Sequence, residues 1–497
     1  MKYNKKKKYS CILATLIIVA SYIPICISEN LRFDSERMYI RPEDVYAEHL
    51  RDGRLVLLLF EKDILKGFYS PILHGVLFLL FFSMSALLLA GYLDKEYIKD
   101  EKSSFFFILL YGTSPIWAFL IYFQHLGAMI GLGIFLAVAA ACLVSSAVFA
   151  EAGKISILKK ALFYMISVLF LLVDMFIYQA LLTVYLSVAS IFFLLISEKK
   201  MIKSLIHLVP VIIHFIVLFI LYFLFQLAFD LPQSEYLSEM ILWDSVPMSK
   251  CLTNIIIEIG KTVFMFKSGH FSTYTIGLIW LVVINVKIAK KESVKDSVLF
   301  HIVSIGVLSV PFAFSILLGD RPVIRMLIAL PVTSALLMTV CQHILPMKKR
   351  TFYTICMLFV VVQFLMVWRL SYTDYLRAAN DKLIAGNIMS EIENMDTDNK
   401  SIIFIGANRF EDDSVFIDKT DVYGRSFFEW IYTPEFPDSA TLSAVRYLEA
   451  FSGKKYNSDY TTDMLYRALN TSEGMPSYPD KGYVKEMDDL IIVHLCR

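Results

Sequence analysis

Carboxylates and arginines crowd the segment that joins the first two apolar stretches of the chain, SENLRFDSERMYIRPEDVYAEHLRDGRLVLLLFEKD, from Ser28 to Asp63. Asp34 and Glu36 follow the first stretch on a short tether. If that stretch crosses a bilayer, the two acids are held at its surface, where a carboxylate can act on a lipid head group. The same charges would equally serve an ordinary loop by keeping it in water. Just downstream, Arg41-Pro42-Glu43-Asp44 reads as a helix start, with proline in the first turn and acids where the helix dipole favours them. Its polar half, EDVYAEHLRDGR, and apolar half, LVLLLF, suit a helix that lies along the membrane surface, dips its end into lipid and walls off a pocket.

Composition shows which elements must position these residues. Hydrophobic residues are 57% of the 497 and charged residues only 19%, with a mean hydropathy of +0.60. That is too apolar for a soluble globular chain and points to a polytopic α-helical membrane protein. The net charge of +1 says little about partners, because in such a chain the placement of charge matters more than its sum. Seven cysteines in no CxxC or Cys/His spacing give neither a disulfide framework nor a metal site.

Apolar runs near the bilayer length of about 20 residues number about eleven. They lie near residues 11–27, 71–93, 105–124, 127–150, 161–177, 180–196, 205–229, 274–289, 298–318, 323–345 and 352–370. Every second connection is basic: MKYNKKKK, DKEYIKDEK, GKISILKK, SEKKMIKS, KIAKKESVK and MKKR. This alternation predicts a cytoplasmic N-terminus and an external first loop. The opening KKKK and its apolar run lack a clear small-x-small cleavage site, so they read as an uncleaved first helix. The runs around Val173 to Ala180 read as two spans rather than one broken one, on the same charge alternation. An odd number of spans leaves the C-terminus outside. The expected organisation is a transmembrane region over 1–370, with an outer loop at 28–70, and an extracytoplasmic domain over 371–497. Strand-like SIIFIG and LIIV and helix-like SATLSAVRYLEAF make that domain a small α/β unit.

In this context the chain resembles the bacterial type II O-antigen glucosyltransferases (Gtr), membrane enzymes of the GT-C class. The resemblance starts in the charged loop, at Asp34-Ser35-Glu36-Arg37 and Gly53-Arg54. It continues through SPIWAFLIYFQHLGAMIGLGIFLAVAA, with Pro115 and Gln124 at recurring positions, and through IYQALLTVYLSV, giving Tyr178 and Gln179. It covers roughly Asp34 to Val188, and the later spans mainly by hydropathy. One departure is that Ser35 splits what is an adjacent acidic pair in the family.

The resemblance implies a GT-C-like fold and transfer of a sugar, typically glucose, from a polyprenyl-phosphate donor to a lipid-linked or surface glycan such as O-antigen. The reaction would take place on the outer face of a bacterial cytoplasmic membrane. Asp34, heading the acidic motif, is the first choice for general base and Glu36 the second, since residues two apart in an extended segment share a face. Arg37, Arg54, Arg321 and Arg325 are the candidate phosphate ligands, because guanidinium matches phosphate oxygens bidentately. Gln124, Tyr178 and Gln179 would line the substrate pocket. Partners are the lipid-linked donor, the glycan acceptor and membrane lipid, with no nucleic acid. No cofactor or metal is called for, and a divalent ion is left open. Each residue also has a plainer reading: solvated loop acids, snorkelling arginines in GDRPVIR, and packing histidines at His49 and His125. Asp174 in LLVDMFIYQ would cost about 2.5–3.5 kcal/mol at a helix centre, so it should face protein or water. The competing function classes are a flippase or a polymerase of lipid-linked oligosaccharides. A flippase would show inverted repeats and midplane charge, whereas here charge collects in the first loop, in Leu231 to His270 and in the C-terminal region.

With native cysteines replaced, a new cysteine between Asp94 and Lys102 should react with a membrane-impermeant thiol reagent only after lysis. One in the first loop or in 371–497 should react in intact cells. Labelling of 371–497 only after lysis would contradict this topology.

Overall fold

The computed structural model describes residues 5–98, 100–149, 156–197, 205–229, 240–264, 272–290, 292–397, 399–411 and 414–495. Parts of the basic connections (1–4, 99, 151–155, 198–204 and 291), parts of the Leu231 to His270 segment (231–239 and 265–270) and Cys496 lie outside the described residues. The chain is mostly helical, and it forms two compact units. One comprises Met1–Ile27 and Tyr46–Trp368, the other Ser28–Val45 and Arg369–Arg497. The charged loop therefore divides, and its first half, with Asp34 and Glu36, groups with the C-terminal residues rather than with the spans.

The first unit is a bundle of apolar helices. Among the described residues, seven helices are long and apolar enough to cross a membrane, and four shorter apolar helices occupy the other expected positions, at Lys102–Gly112, Gln179–Leu195, Thr273–Ala289 and Ala329–Ile344. The hydrophobic effect cannot drive helix association in lipid, so close backbone approach does more of that work. A Cβ at Gly75 would stand 2.5 Å from the carbonyl oxygen of Cys26, and one at Gly131 would stand 2.8 Å from Cα of Phe78. These two glycines let Pro71–Leu93 pack against both Lys5–Cys26 and Gln124–Phe149.

Several segments differ from the expectation, each for a local reason. The run over 105–124 is broken into Glu101–Gly112 and Ile116–Ile121, since Pro115 supplies no N–H to continue the ladder. Helix Ile157–Ile177 stops where Tyr178 turns extended (φ −162°), and one turn of 3₁₀ helix, Gln179–Leu181, leads into Leu182–Ser197. The surface helix starts at Pro42 as expected but spans only Pro42–Arg51. A turn with Gly53 at φ +70° then separates it from Leu55–Leu58 and a π-helix, Leu59–Ile64. The last apolar run continues without interruption into a 44-residue helix, Lys349–Ile392.

The second unit is built on the later part of that helix. Strands β1 (Ser401–Ile405) and β3 (Leu490–His494) pair in parallel, with Ser401 opposite Leu490, and β2 (Val484–Glu486) adds antiparallel to β3, for an order β1-β3-β2. Both parallel strands are buried along their whole length, as their unbroken apolar runs require. Ala468 of helix Thr462–Ser472 packs on Ile403, Ile405, Leu490 and Ile492.

A buried chain of charges ties the loop to this unit. Arg32 Nε donates to Asp374 Oδ2 (2.9 Å), Arg377 Nη1 donates to Asp381 (3.0 Å), and Arg377 Nη2 donates both to Asp374 (2.6 Å) and to the carbonyl of Leu31 (3.0 Å). All four side chains are at most 1% exposed. Asp381 also accepts from Ser426 Oγ (2.6 Å), and Phe33 stacks on Trp430 with centroids 4.1 Å apart. Asp374→Ala would leave two buried guanidiniums without their shared carboxylate, which should cost about 3–5 kcal/mol. The expected result is loss of protease resistance of Arg369–Arg497 in the detergent-purified chain; wild-type resistance would contradict the role given to this network.

Candidate functional site

Asp34 and Glu36 do not lie in an extended segment. Ser35 and Glu36 donate their backbone N–H groups to the carbonyl of Arg32 (3.1 and 3.2 Å), making a turn that leads into the short helix Arg37–Ile40. Asp34 takes a left-handed backbone, φ +66°, a region that Asp tolerates better than most residues. The two carboxyls therefore do not share a strand face. Asp34 stays half-buried, while Glu36 is only 4% exposed and its Oε2 has no hydrogen-bond partner among the described residues.

The electrostatics of the turn separate the two acids. Burial pushes the Glu36 carboxyl up to about 8, the negative charge of Asp34 adds to the rise, and the charges of Arg446 and Arg37 oppose it. Arg446 comes from helix Thr441–Ser452, whose flanking residues are buried. Burial and the like charge of Arg37 lower its guanidinium, against the pull of Glu36 and Asp34. One turn further along, Glu449 holds Arg41 through a fork, with Nε at 2.8 Å. Asp34, Glu36, Arg37 and Arg446 form a cluster of two acids and two guanidiniums within the second unit, with the Arg41–Glu449 pair beside it. Glu36 therefore titrates close to neutral pH, so that its ionised fraction is a stronger base than an ordinary carboxylate. Arg446 is absent from the sequence reading because it lies more than 400 residues from its partners, with no periodic signal linking it to them.

The membrane unit brings together a different set. Arg54 pairs with Asp52 (3.2 Å) and lies over the ring of Tyr178 (5.8 Å), while Gln179 Nε2 donates to the carbonyl of Asp52 (3.4 Å). Tyr222 OH accepts from Gln226 (3.0 Å) beside them. Three of the residues chosen from sequence, Arg54, Tyr178 and Gln179, thus meet at the extended break after Ile157–Ile177. Gln124 is buried in the first turn of its helix, next to Phe123, over whose ring Arg325 lies at 4.7 Å. Arg321 is exposed, and its charge acts on Glu258, whose carboxyl burial raises.

Other polar groups of the membrane unit were read as plain packing or left unassigned. His49 and Glu61 form a buried pair (3.1 Å), and the His49 ring stacks on His125 at 6.0 Å. Asp174 does face protein: it is fully buried, and a Cβ on Gly133 would stand 3.0 Å from its Oδ1. Neither of its oxygens has a hydrogen-bond partner among the described residues. Also among those residues, no group of three or more His, Cys, Asp or Glu side chains is placed to hold a metal ion. Along the helix that ends at Tyr178 runs an apolar groove of about 540 Å³, lined by Leu169, Leu172, Ile213 and Val217.

Residues 23–368 match the family model described as glucosyl transferase GtrII. No curated protein and no solved structure matches the chain.

Proposed function

The chain belongs to the glucosyl transferase GtrII family, and from that premise we propose that it moves glucose from a polyprenyl-phosphate donor to a lipid-linked or surface glycan such as O-antigen. The family makes it a membrane glycosyltransferase. The donor, the acceptor and the side of the membrane are our reading. In that reading the chain crosses the bacterial cytoplasmic membrane eleven times, with the N-terminus inside and the second unit outside. The alternation of basic connections supports it.

The observation that carries the chemistry is the split environment of Asp34 and Glu36. When an acceptor hydroxyl oxygen bonds to the anomeric carbon, the carbon–oxygen bond to phosphate breaks and its electron pair leaves on the phosphate. The hydroxyl proton must go to a base. We assign that proton to the loop carboxylates. Sequence favours Asp34, while burial, which sets a carboxyl near the working pH, supports Glu36, with Asp34 as the neighbouring charge that raises it. The phosphate role stays with Arg37, Arg54, Arg321 and Arg325, to which Arg446 is added. Tyr178, Gln179 and Gln124 are assigned to the substrate pocket. The apolar groove beside Leu169 and Ile213 supports a polyprenyl donor, since an isoprenoid chain has the same solvent preference as its lining. The proposed proton transfer uses no cofactor.

Below about pH 8 Glu36 is mostly protonated, and the ionised fraction that can accept a proton grows about tenfold per pH unit up to that value. The transfer rate of the purified enzyme should therefore rise about tenfold per pH unit towards pH 8 and then level off. Glu36→Gln should slow transfer by about 10²–10⁴-fold and remove that limb, with donor binding retained. If Asp34→Asn alone abolishes transfer and Glu36→Gln keeps the wild-type profile, the base is Asp34. Near-normal turnover in both variants would refute the loop as the site of proton transfer. For the phosphate ligands, Arg→Lys keeps the charge but loses the planar fork, so donor affinity should fall. Wild-type affinity in the Lys variants of Arg54, Arg321 and Arg325 would remove all three from the site.

A further inference from the structure

The second unit contains a polar pocket of about 450 Å³ that the reading above does not use. This volume lies within the range of small-ligand sites, about 300–1,000 Å³. Three cations, Arg409, Lys419 and Arg425, and three acids, Glu411, Asp421 and Glu429, line it together with Phe410 and Tyr423. The cations are braced by aromatic rings and by a loose ion pair. Lys419 lies over the Phe410 ring at 5.5 Å, Arg425 lies over Trp430 at 5.6 Å, and Arg409 reaches Glu429 only at 3.9 Å. Backbone shape keeps the space open. Asp421 has φ +54°, an uncommon conformation for a residue with a side chain, and Gly424 has φ +77°. A Cβ on Gly424 would stand 2.9 Å from Cγ of Lys419 and would push that side chain out of place.

The charge of the lining selects the ligand class. Among the described residues the lining carries three positive and three negative groups, so a phosphate would face three carboxylates and a cation would face three positive groups. Each would gain little over water. An uncharged polyhydroxylated molecule uses both signs at once, because its hydroxyls donate to carboxylates and accept from guanidinium and ammonium groups. Hydrogen bonds with one ionised partner are about twice as strong as neutral ones.

We propose that this pocket binds a neutral sugar unit of the acceptor glycan and holds the chain being modified. The acceptor role rests on the transferase reading above; the binding of neutral saccharide does not.

The full-length detergent-purified protein would be applied, without donor, to a printed array of neutral and acidic hexose oligosaccharides. Neutral glycans should be retained, and Glu429→Gln and Arg425→Gln should each weaken retention at least tenfold. Both residues are on the accessible wall, and intact folding of each variant would be confirmed by its melting temperature. Retention of acidic glycans alone, no retention, or equal retention by both variants would overturn the proposal. In a transfer assay the same variants should raise the acceptor KM and leave kcat unchanged, as expected for lost uniform binding. Glycan binding without transfer would leave the pocket standing while refuting the transferase reading. Transfer without glycan binding would do the reverse.

Discussion

The buried chain Arg32–Asp374–Arg377–Asp381 is the constraint on which the rest of the second unit depends. Burying four ionised side chains has a large desolvation cost, which close pairing only about offsets, so such a network adds little net stability. It does fix register. Arg377 grips the carbonyl of Leu31 while Asp374 grips Arg32. The loop can therefore meet the helix Lys349–Ile392 in only one arrangement that pairs every charge. The turn at Phe33–Glu36 follows directly, and its carboxylates are set by that anchor rather than by the loop's own preferences.

From this placement comes the chemistry. An acid in a free loop would be ionised and would be a weak base at neutral pH. Glu36 is instead enclosed, faces the like charge of Asp34 and keeps its proton up to about pH 8. Arg37 and Arg446 limit the rise, and the same guanidiniums offer donors to an anionic leaving group. Two neighbouring carboxylates in unlike environments are the arrangement on which the proposed proton transfer rests.

Much of this was legible in the sequence, for identifiable reasons. The apolar runs overlap apolar helices, seven of them of spanning length among the described residues, and the strand-like runs at Ser401 and Leu490 form the parallel pair because each is mostly apolar on both faces. Arg54, Tyr178 and Gln179, singled out from separate motifs, lie together, although nothing in the sequence states that contact. The spacing Asp374, Arg377, Asp381 places three charges on one face of a helix and was available as a signal of a buried network. Its partner Arg32 was not, because nothing local links two residues 342 positions apart. A still larger separation in sequence hid Arg446. The turn at Asp34 escaped for a different reason: Asp tolerates a left-handed backbone, but nothing in the local sequence requires it here. The break at Pro115 was readable from the proline, yet hydropathy carried the run straight through it.

The central claim is that this chain adds a single sugar to a surface glycan and that Glu36 takes the proton in that step. It is tested most directly by deleting the gene, complementing with wild type or Glu36→Gln, and weighing the surface glycan repeat by mass spectrometry. The account predicts full-length chains whose repeat lacks one hexose in the deletion, regains it with wild type and does not regain it with Glu36→Gln. Loss of whole chains, or restoration of the hexose by Glu36→Gln at the wild-type level, would contradict it.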